Sequence, residues 1–281
     1  VSGTGAENVQ IDAGPHNFAP PLPADIRGVL RPGGGGTHPF NATFAQFDEL
    51  VDFAVATGSQ MVLGLNQLTR RWPERGLCHA SGAGTCPWVS TNARAWMEHN
   101  RLTNAPILGY ELGNEPGCYM DVARQHSTGL SAADAVDDFR ALKALIAQVY
   151  RQTKAGARPL VMGPDVGGCK HGPLNAAILA EQPPLDVLTF HHYVIGGAVA
   201  HGDPSNINVS AMIKAALSTT TRDLIASYIP AWRQNASRAP LWLGEGGTTC
   251  ANRALQRSFA MIFNAFNILR EGGLLGVSLF L

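Results

Sequence analysis

The chain has 281 residues, no net formal charge at neutral pH, and 45% hydrophobic but only 15% charged residues. This composition supplies enough apolar surface for a large core and excludes a disordered chain. The lack of a basic excess argues against nucleic acid as a partner, and no apolar run reaches the roughly 18 residues of a membrane span. We expect one domain over residues 1–281, because (β/α) barrels of about 250 residues fold as single units.

Neither end of the sequence resembles a natural domain boundary. The chain begins at Val1 without an initiator methionine or a signal-peptide pattern, and it ends in an apolar run at 276–281. We therefore expect a fragment of a longer protein, truncated at its N-terminus. Any association with a membrane or the extracellular matrix would then depend on the regions outside it.

The five cysteines do not form a metal-binding pattern. None belongs to a Cys-x-x-Cys pair and no histidine cluster has zinc-like spacing, so we expect neither a metal nor another cofactor. Cys78 and Cys86 flank a glycine-rich segment and could close a small loop. Three Asn-x-Ser/Thr sequons, at Asn41, Asn208 and Asn235, favour a secreted, lysosomal or extracellular location.

Helical and strand patterns alternate along most of the chain. The first forty residues are rich in glycine and proline and predict loop. Beyond them, apolar residues at helical spacing predict helices over 44–57, 90–103, 132–153, 174–181, 211–235 and 254–271. Short apolar runs predict buried strands at 61–65, 107–112, 159–162, 187–190, 241–243 and 276–281.

This alternation predicts an α/β fold with parallel strands joined by right-handed crossovers. The architecture that fits is a (β/α)8 TIM barrel whose first strand is missing. An open, doubly wound sheet is the alternative. It lacks support, since no Gly-x-Gly-x-x-Gly turn joins a strand to a helix.

Polar side chains follow the predicted strands, where a parallel barrel gathers its functional groups. These positions hold Asn66, Asn114, Glu115, Asp165, His191 to Tyr193, and Glu245. Two of the acids lie on well-separated strands. Glycoside hydrolysis needs such a pair, because one acid protonates the leaving oxygen while one carboxylate meets the anomeric carbon.

Each of these residues also has a plainer explanation. Glu115 could cap a following helix, and Glu245 could be a solvated loop carboxylate. Turn formation at Gly-Pro-Asp explains Asp165 as well as substrate binding does, and His192 could be a buried structural histidine. Glu111 faces the same side as Glu115 but lies deeper, so we expect a hydrogen-bonded structural role for it.

Four segments carry a specific resemblance. Tyr110-Glu-Leu-Gly-Asn-Glu-Pro116, Met162-Gly-Pro-Asp-Val166, Thr189-Phe-His-His-Tyr193 and Trp242-Leu-Gly-Glu245 resemble, in order and spacing, the motifs of glycoside hydrolase family 79, the heparanases and related β-glucuronidases. Residues 63–69 resemble the family's third-strand motif, and residues 2–12 its segment after the second strand. The similarity extends over nearly the whole chain, but the family's accessory β-sandwich is absent from it.

The resemblance implies a retaining β-glucuronidase that works by double displacement. Glu115 corresponds to the proton donor and later general base, and Glu245 to the nucleophile. Asn114 corresponds to a residue that hydrogen-bonds the sugar 2-hydroxyl, and Tyr193 to one that orients the nucleophile. In such an enzyme the two carboxyl groups lie about 5–5.5 Å apart, and the charge of Glu245 favours a proton on Glu115. The other positions implied to bind sugar are His191, Asn66 and Glu7.

The segment after Glu245 departs from the family, which has a Tyr-Gly-Gly-Gly stretch whose amides face the glucuronate carboxylate. Arg253 could bind that carboxylate instead, or could be an exposed residue at the start of the next helix. A basic rim for a sulfated glycan could be formed by Arg70, Arg71, Arg75 and Lys170.

The expected partner is therefore a polysaccharide or proteoglycan glycan with a β-glucuronide linkage. Two alternatives stay open. One is an inactive heparanase-like protein that binds glycosaminoglycan without cutting it. The other is a relative that acts on neutral β-glycosides.

Overall fold

The computed structural model describes residues 9–11, 40–67, 88–115, 131–166, 172–195, 208–224, 226, 239–248, 266–271 and 278–279. The strands are β1 Val9–Ile11, β2 Phe40–Ala42, β3 Met61–Leu65, β4 Ile107–Leu112, β5 Leu160–Val166, β6 Val187–Ile195, β7 Leu241–Thr248 and β8 Ser278–Leu279. The helices are α1 Phe44–Thr57, α2 Thr91–Thr103, α3 Ala132–Val149, α4 Gly172–Ala180 and α5 Val209–Ala216. Further helical residues lie at 220–224, 226 and 266–271.

Strands β3 to β8 form one six-stranded parallel sheet in chain order. A parallel sheet in chain order with helices between its strands curls into the half-barrel of a TIM-like fold, which confirms the predicted architecture at that level. β1 pairs with β2, also in parallel. No pairing joins β2 to β3 within the described ranges, so the closed (β/α)8 ring with a missing first strand stays a prediction.

The main apolar core lies between the sheet and its helices. Tyr110 and Leu112 of β4 belong to it, together with Phe139 and Leu142 of α3, and all four are at most 1% exposed. Two capping boxes start helices of this layer, one made by Thr43 and Gln46 before α1 and one by Ser131 and Asp134 before α3. The same capping residues are visible in the sequence and account for the helix starts.

The opposite face of the sheet changes character along its strands. Val62, Met162 and Val187 form an apolar cluster there, packed with Trp242. Nearer the carboxyl ends of the strands, buried polar residues replace them: Glu111, Asp165, Thr189 and His191. The sheet therefore presents an apolar floor below a polar layer.

Three predictions of secondary structure were wrong. The first forty residues are not all loop, because Val9–Ile11 is a strand that pairs with Phe40–Ala42; three-residue strands are too short for a periodic pattern. The helix predicted over 132–153 ends at Val149, where Tyr150 leaves helical geometry. The helix predicted over 211–235 is broken after Ala216.

The break after Ala216 has a cause far away in the sequence. Asn267 donates hydrogen bonds from its amide to the carbonyl oxygens of Ala215, Ala216 and Ser218 at 2.8–3.0 Å. Carbonyls at the end of a helix lack the amide partners of its interior, and those of Ala215 and Ser218 also accept from the Ser218 hydroxyl and from Arg270. The Asn267 carbonyl accepts in turn from the Thr221 hydroxyl at 2.5 Å, where the helix resumes.

Among the described helices, none combines the length and hydropathy of a membrane-spanning segment.

Candidate active site

Two irregularities in the sheet turn acidic side chains toward the polar layer. Between β6 and β7, Phe190 pairs with Leu243 and His191 with Glu245, so Gly244 is an extra residue on β7. A matching extra residue occurs in β5 between Gly163 and Val166. A single inserted residue reverses the alternation of side chains along a strand. Asp165 and Glu245 consequently face the interior instead of the helices.

These irregularities also correct the prediction that the polar residues follow their strands. Asn66 and Glu115 do follow β3 and β4. Asp165, His191 and Glu245 instead lie within β5, β6 and β7, because the ladders continue past the bulges as far as Ile195 and Thr248. The residues still gather at one end of the sheet, as predicted.

His191 lies at the centre of the site. Its Nδ1 is 3.0 Å from Oε1 of Glu115 and 3.8 Å from Oε2 of Glu245. Its Nε2 contacts Oδ1 of Asp165. Burial alone would lower the pKa of His191, but the hydrogen bonds to Asp165 and Glu115 and the charges of Asp165 and Glu245 raise that pKa to about 10. The imidazole is therefore a buried cation between three acids at neutral pH.

Tyr193 is bonded to the second of the two predicted catalytic acids. Its hydroxyl donates a hydrogen bond to Oε1 of Glu245. Burial, this hydrogen bond and the charge of Glu245 together raise the pKa of the Tyr193 hydroxyl well above its usual range. Tyr193 therefore stays protonated and holds one oxygen of Glu245.

Glu115 and Glu245 are accessible, whereas the groups behind them are not. The side chains of Glu115 and Glu245 are 23% and 30% exposed, but those of His191 and Asp165 are fully buried. A ligand from solvent can therefore reach both glutamates but not Asp165. This burial argues against direct substrate binding by Asp165, whereas its left-handed backbone, with φ +58°, is compatible with a local turn at Gly-Pro-Asp.

The backbone around Glu115 is held in an unusual conformation. Glu115 has φ +46° and Gly113 has φ +79°. A left-handed conformation costs a residue with a side chain about 1–2 kcal/mol, so the surrounding structure must fix Glu115 in place. Asn114, between them, is 2% exposed.

Asn66 lies just after β3, and His192 lies within β6. Asn66 is 5% exposed, and its carbonyl accepts a hydrogen bond from the Trp88 indole at 2.8 Å, which anchors the end of β3. Burial lowers the pKa of His192 to about 4. His192 is therefore neutral, as the structural explanation of this residue requires.

Several predicted residues lie outside the described ranges. They are Glu7, Arg253, Arg70, Arg71, Arg75, Lys170, Asn235 and the possible loop between Cys78 and Cys86. Of the other sequons, Asn41 lies in β2 and Asn208 caps α5, where its side-chain oxygen accepts from the Ala211 amide at 3.0 Å.

The sequence of the chain matches a known protein family. The model of the glycosyl hydrolase family 79 N-terminal domain matches residues 40–270. Heparanase-like protein 3 of Arabidopsis thaliana is 27% identical over 203 residues, which are 72% of this chain and 34% of that protein. Baicalin-β-D-glucuronidase of Scutellaria baicalensis is 24% identical, with 72% of this chain and 37% of that protein covered. The chain thus spans about a third of the length of these relatives.

Two further matches extend the comparison. Inactive heparanase-2 of Mus musculus is 24% identical over 81% of this chain and 35% of that protein. The crystal structure of Cel44A, a family 44 endoglucanase from Clostridium thermocellum, superposes with a TM-score of 0.54 at 14% identity. The superposition covers 84% of this chain and 60% of that structure. At this low identity it is evidence of a similar fold only.

Proposed function

Because the chain belongs to glycosyl hydrolase family 79, we propose that it is the catalytic part of a retaining enzyme that cleaves β-glucuronide linkages. Glu115 is the proton donor and general base, and Glu245 is the nucleophile. The observation that carries the proposal is the contact of both glutamates with one nitrogen of His191. The substrate is a glycan of a polysaccharide or proteoglycan that contains uronic acid.

The spacing of the two glutamates supports a retaining mechanism. Since Oε1 of Glu115 is 3.0 Å and Oε2 of Glu245 is 3.8 Å from the same nitrogen, these oxygens cannot be further apart than the sum of those distances. That limit excludes most of the range of about 6.5–9.5 Å used by inverting enzymes, and it accommodates the 5–5.5 Å or so of retaining ones.

The first displacement uses the two oxygens of Glu245 differently. Tyr193 occupies Oε1, which leaves Oε2 to attack the anomeric carbon. As the bond from Oε2 to this carbon forms, the glycosidic bond breaks, and the proton of Glu115 passes to the leaving oxygen. The product of this step is a covalent glycosyl-enzyme.

The second displacement reverses these roles. Glu115, now ionised, takes a proton from a water molecule that attacks the anomeric carbon. The bond to Glu245 breaks, and the sugar is released with its original configuration. Asn114, next to Glu115, supplies the hydrogen bond to the 2-hydroxyl group that strengthens in both transition states. Asn66, Glu7 and Arg253 complete the proposed sugar site. His191, predicted to bind sugar, is instead fully buried behind both glutamates and supports them.

The β-glucuronide class is supported by the relative named baicalin-β-D-glucuronidase. A neutral β-glycoside is the alternative, because the segment after Glu245 departs from the family. The relative named inactive heparanase-2 makes a non-catalytic protein the second alternative. The approach of both carboxylates to His191 favours the enzyme, since a protein that only binds glycan has no need of two acids on one imidazole.

A location outside the cytosol fits a substrate of this class. The sequon at Asn208 is exposed at the start of α5, where a glycan could be attached without entering the core. We therefore propose a secreted, lysosomal or cell-surface protein.

Turnover of a matched pair of substrates tests the proposal. We expect the full chain to release aglycone from an aryl β-glucuronide much faster than from the aryl β-glucoside, because only the former carries the carboxylate. Faster release from the glucoside would support the neutral-glycoside alternative. Binding of glucuronide oligosaccharide with no release from either substrate would overturn the enzyme assignment.

Covalent labelling tests the roles of the two glutamates. A 2-fluoro-glucuronyl fluoride should label the peptide that contains Glu245, and Glu245→Gln should abolish both labelling and turnover. Glu115→Ala should be partly rescued by azide with a good leaving group, whereas Glu245→Ala should not be rescued in this way. A label on any other residue of the unaltered protein would refute the nucleophile.

A further inference from the structure

A second pair of acids lies beneath the proposed catalytic residues and takes no part in the reaction above. Glu111 of β4 is 2% exposed and Asp165 of β5 is fully buried. The two carboxyl groups are close enough for Asp165 to raise the pKa of Glu111. A β-carbon built on Gly244 would lie 3.1 Å from Oδ1 of Asp165 and 3.3 Å from Oε1 of Glu111, so both groups converge on one point of the interior.

Two carboxyl groups buried this close together need a proton between them. Two carboxylates have only acceptors, and two like charges in a buried site strongly disfavour double ionisation. The pair therefore carries one proton and one negative charge. The position of that charge decides what the pair can do.

The contacts assign the charge to Asp165. Its Oδ1 contacts Nε2 of His191, the cation of the site, and an ion pair favours the ionised form of the nearer acid. The charge of His191 also acts on Glu111, but its effect is smaller than those of burial and of the charge of Asp165. Burial and the charge of Asp165 raise the pKa of Glu111 well above its usual range. Glu111 is therefore the member that holds the proton.

We propose that Glu111 and Asp165 are a positioning pair, in which protonated Glu111 donates a hydrogen bond to ionised Asp165, and Asp165 holds His191 with Nδ1 directed at Glu115. The pair does not touch substrate. It fixes the imidazole that both catalytic glutamates approach. The effect on turnover rests on the proposed function, but the protonation states do not.

The charged groups around His191 determine how Glu111 and Asp165 should affect the titration of His191. The acids that face it are Glu115 from the segment after β4, Asp165 from β5 and Glu245 from β7, with Tyr193 on the same strand as His191. Removing the negative charge of Asp165 must lower the pKa of His191. Replacing a neutral Glu111 by a neutral amide must leave that pKa nearly unchanged.

Nitrogen-15 NMR of the histidine side chains in the full chain tests this directly. In Asp165→Asn we expect the titration midpoint of His191 to fall by more than about one pH unit. In Glu111→Gln we expect a change well below that, because the glutamine amide donates to Asp165 as the protonated acid did. His191→Asn identifies the resonance, and Tyr150→Phe, which alters a distant buried hydrogen bond to Tyr110, is the control for destabilisation.

One outcome would overturn the assignment: a fall in Glu111→Gln as large as in Asp165→Asn, since the charge would then reside on Glu111. Should Asp165→Asn fail to fold, the Glu111→Gln titration alone decides, because only the loss of a charge lowers the midpoint by that amount. This readout needs no turnover. It therefore stands or fails independently of the proposed reaction.

Kinetics test the positioning role. Glu111→Ala should lower kcat on the aryl β-glucuronide by roughly 10–100-fold with little change in KM, because a misplaced imidazole disturbs only the reacting groups. Glu111→Gln should recover most of this loss. Equal losses in both variants, matched by equal losses of thermal stability, would show a merely structural role.

Discussion

At the scale of single residues, the hydrogen bond from Tyr193 restricts the orientation of Glu245, the proposed nucleophile. Tyr193→Phe removes the hydroxyl that donates to Oε1 of Glu245. We expect kcat on the aryl β-glucuronide to fall by roughly 10–100-fold, because the freed carboxylate samples unproductive orientations. KM should change little, since the hydroxyl acts on the enzyme's own acid.

The matched control is Tyr150→Phe, which removes another buried hydroxyl. The Tyr150 hydroxyl lies 2.9 Å from the Tyr110 hydroxyl, on the side of the sheet that faces the helices and away from the proposed catalytic groups. This variant should lose about 1 kcal/mol of unfolding free energy and retain kcat. A similar loss of kcat in both variants would mean that the Tyr193 effect is one of stability.

The burial of His192 should make the free energy of unfolding depend on pH. Burial lowers the pKa of His192 from 6.5 to about 4 in the folded chain. Between those values the unfolded chain binds more protons, so the free energy of unfolding contributed by this residue falls as pH decreases. The loss is at most about 1.4 kcal/mol per pH unit. Urea titrations from pH 7 to pH 4 should show a shallower decline in His192→Gln, and an unchanged slope would contradict the burial of a neutral imidazole.

At the scale of secondary structure elements, the fit between β5 and α3 depends on one glycine. Gly163 has φ +148°, and a β-carbon there would be 2.6 Å from Cζ of Phe139. Gly163→Ala should therefore destabilise the fold by about 1–3 kcal/mol. Gly156→Ala is the control, because its β-carbon would have no neighbour within 4 Å.

A double mutant separates crowding from backbone strain at this position. If crowding dominates, Gly163→Ala combined with Phe139→Leu should be less destabilised than the sum of the single variants, as measured by chemical denaturation. Additive losses would assign the effect to the backbone conformation of Gly163 instead.

At the scale of the whole molecule, the sheet could be predicted but some of its ends could not. Apolar runs separated by amphipathic helices identify β3 to β8, because a buried parallel strand needs apolar residues on both faces. The end of α5 depends on Asn267, some fifty residues further along the chain, and no local pattern reports such a contact. The strand Val9–Ile11 is too short to show any periodicity.

The candidate site was predictable to a similar degree. The rule that parallel strands bring their carboxyl ends together is sufficient to gather Glu115, His191 and Glu245, and the structure confirms that they meet. It does not identify Asp165 as the partner of His191. That contact follows from an extra residue in β5, and a bulge of this kind leaves no periodic signal in a sequence.

The extra residue at Gly244 makes the site sensitive to strand length as well as to residue type. If Gly244 were paired opposite His191 in a regular ladder, Glu245 would be turned toward the helices. The same acids in the same order would then form a more regular sheet without the proposed nucleophile at the site. The position of Glu245 therefore depends on an irregularity of the strand as much as on the identity of the residue.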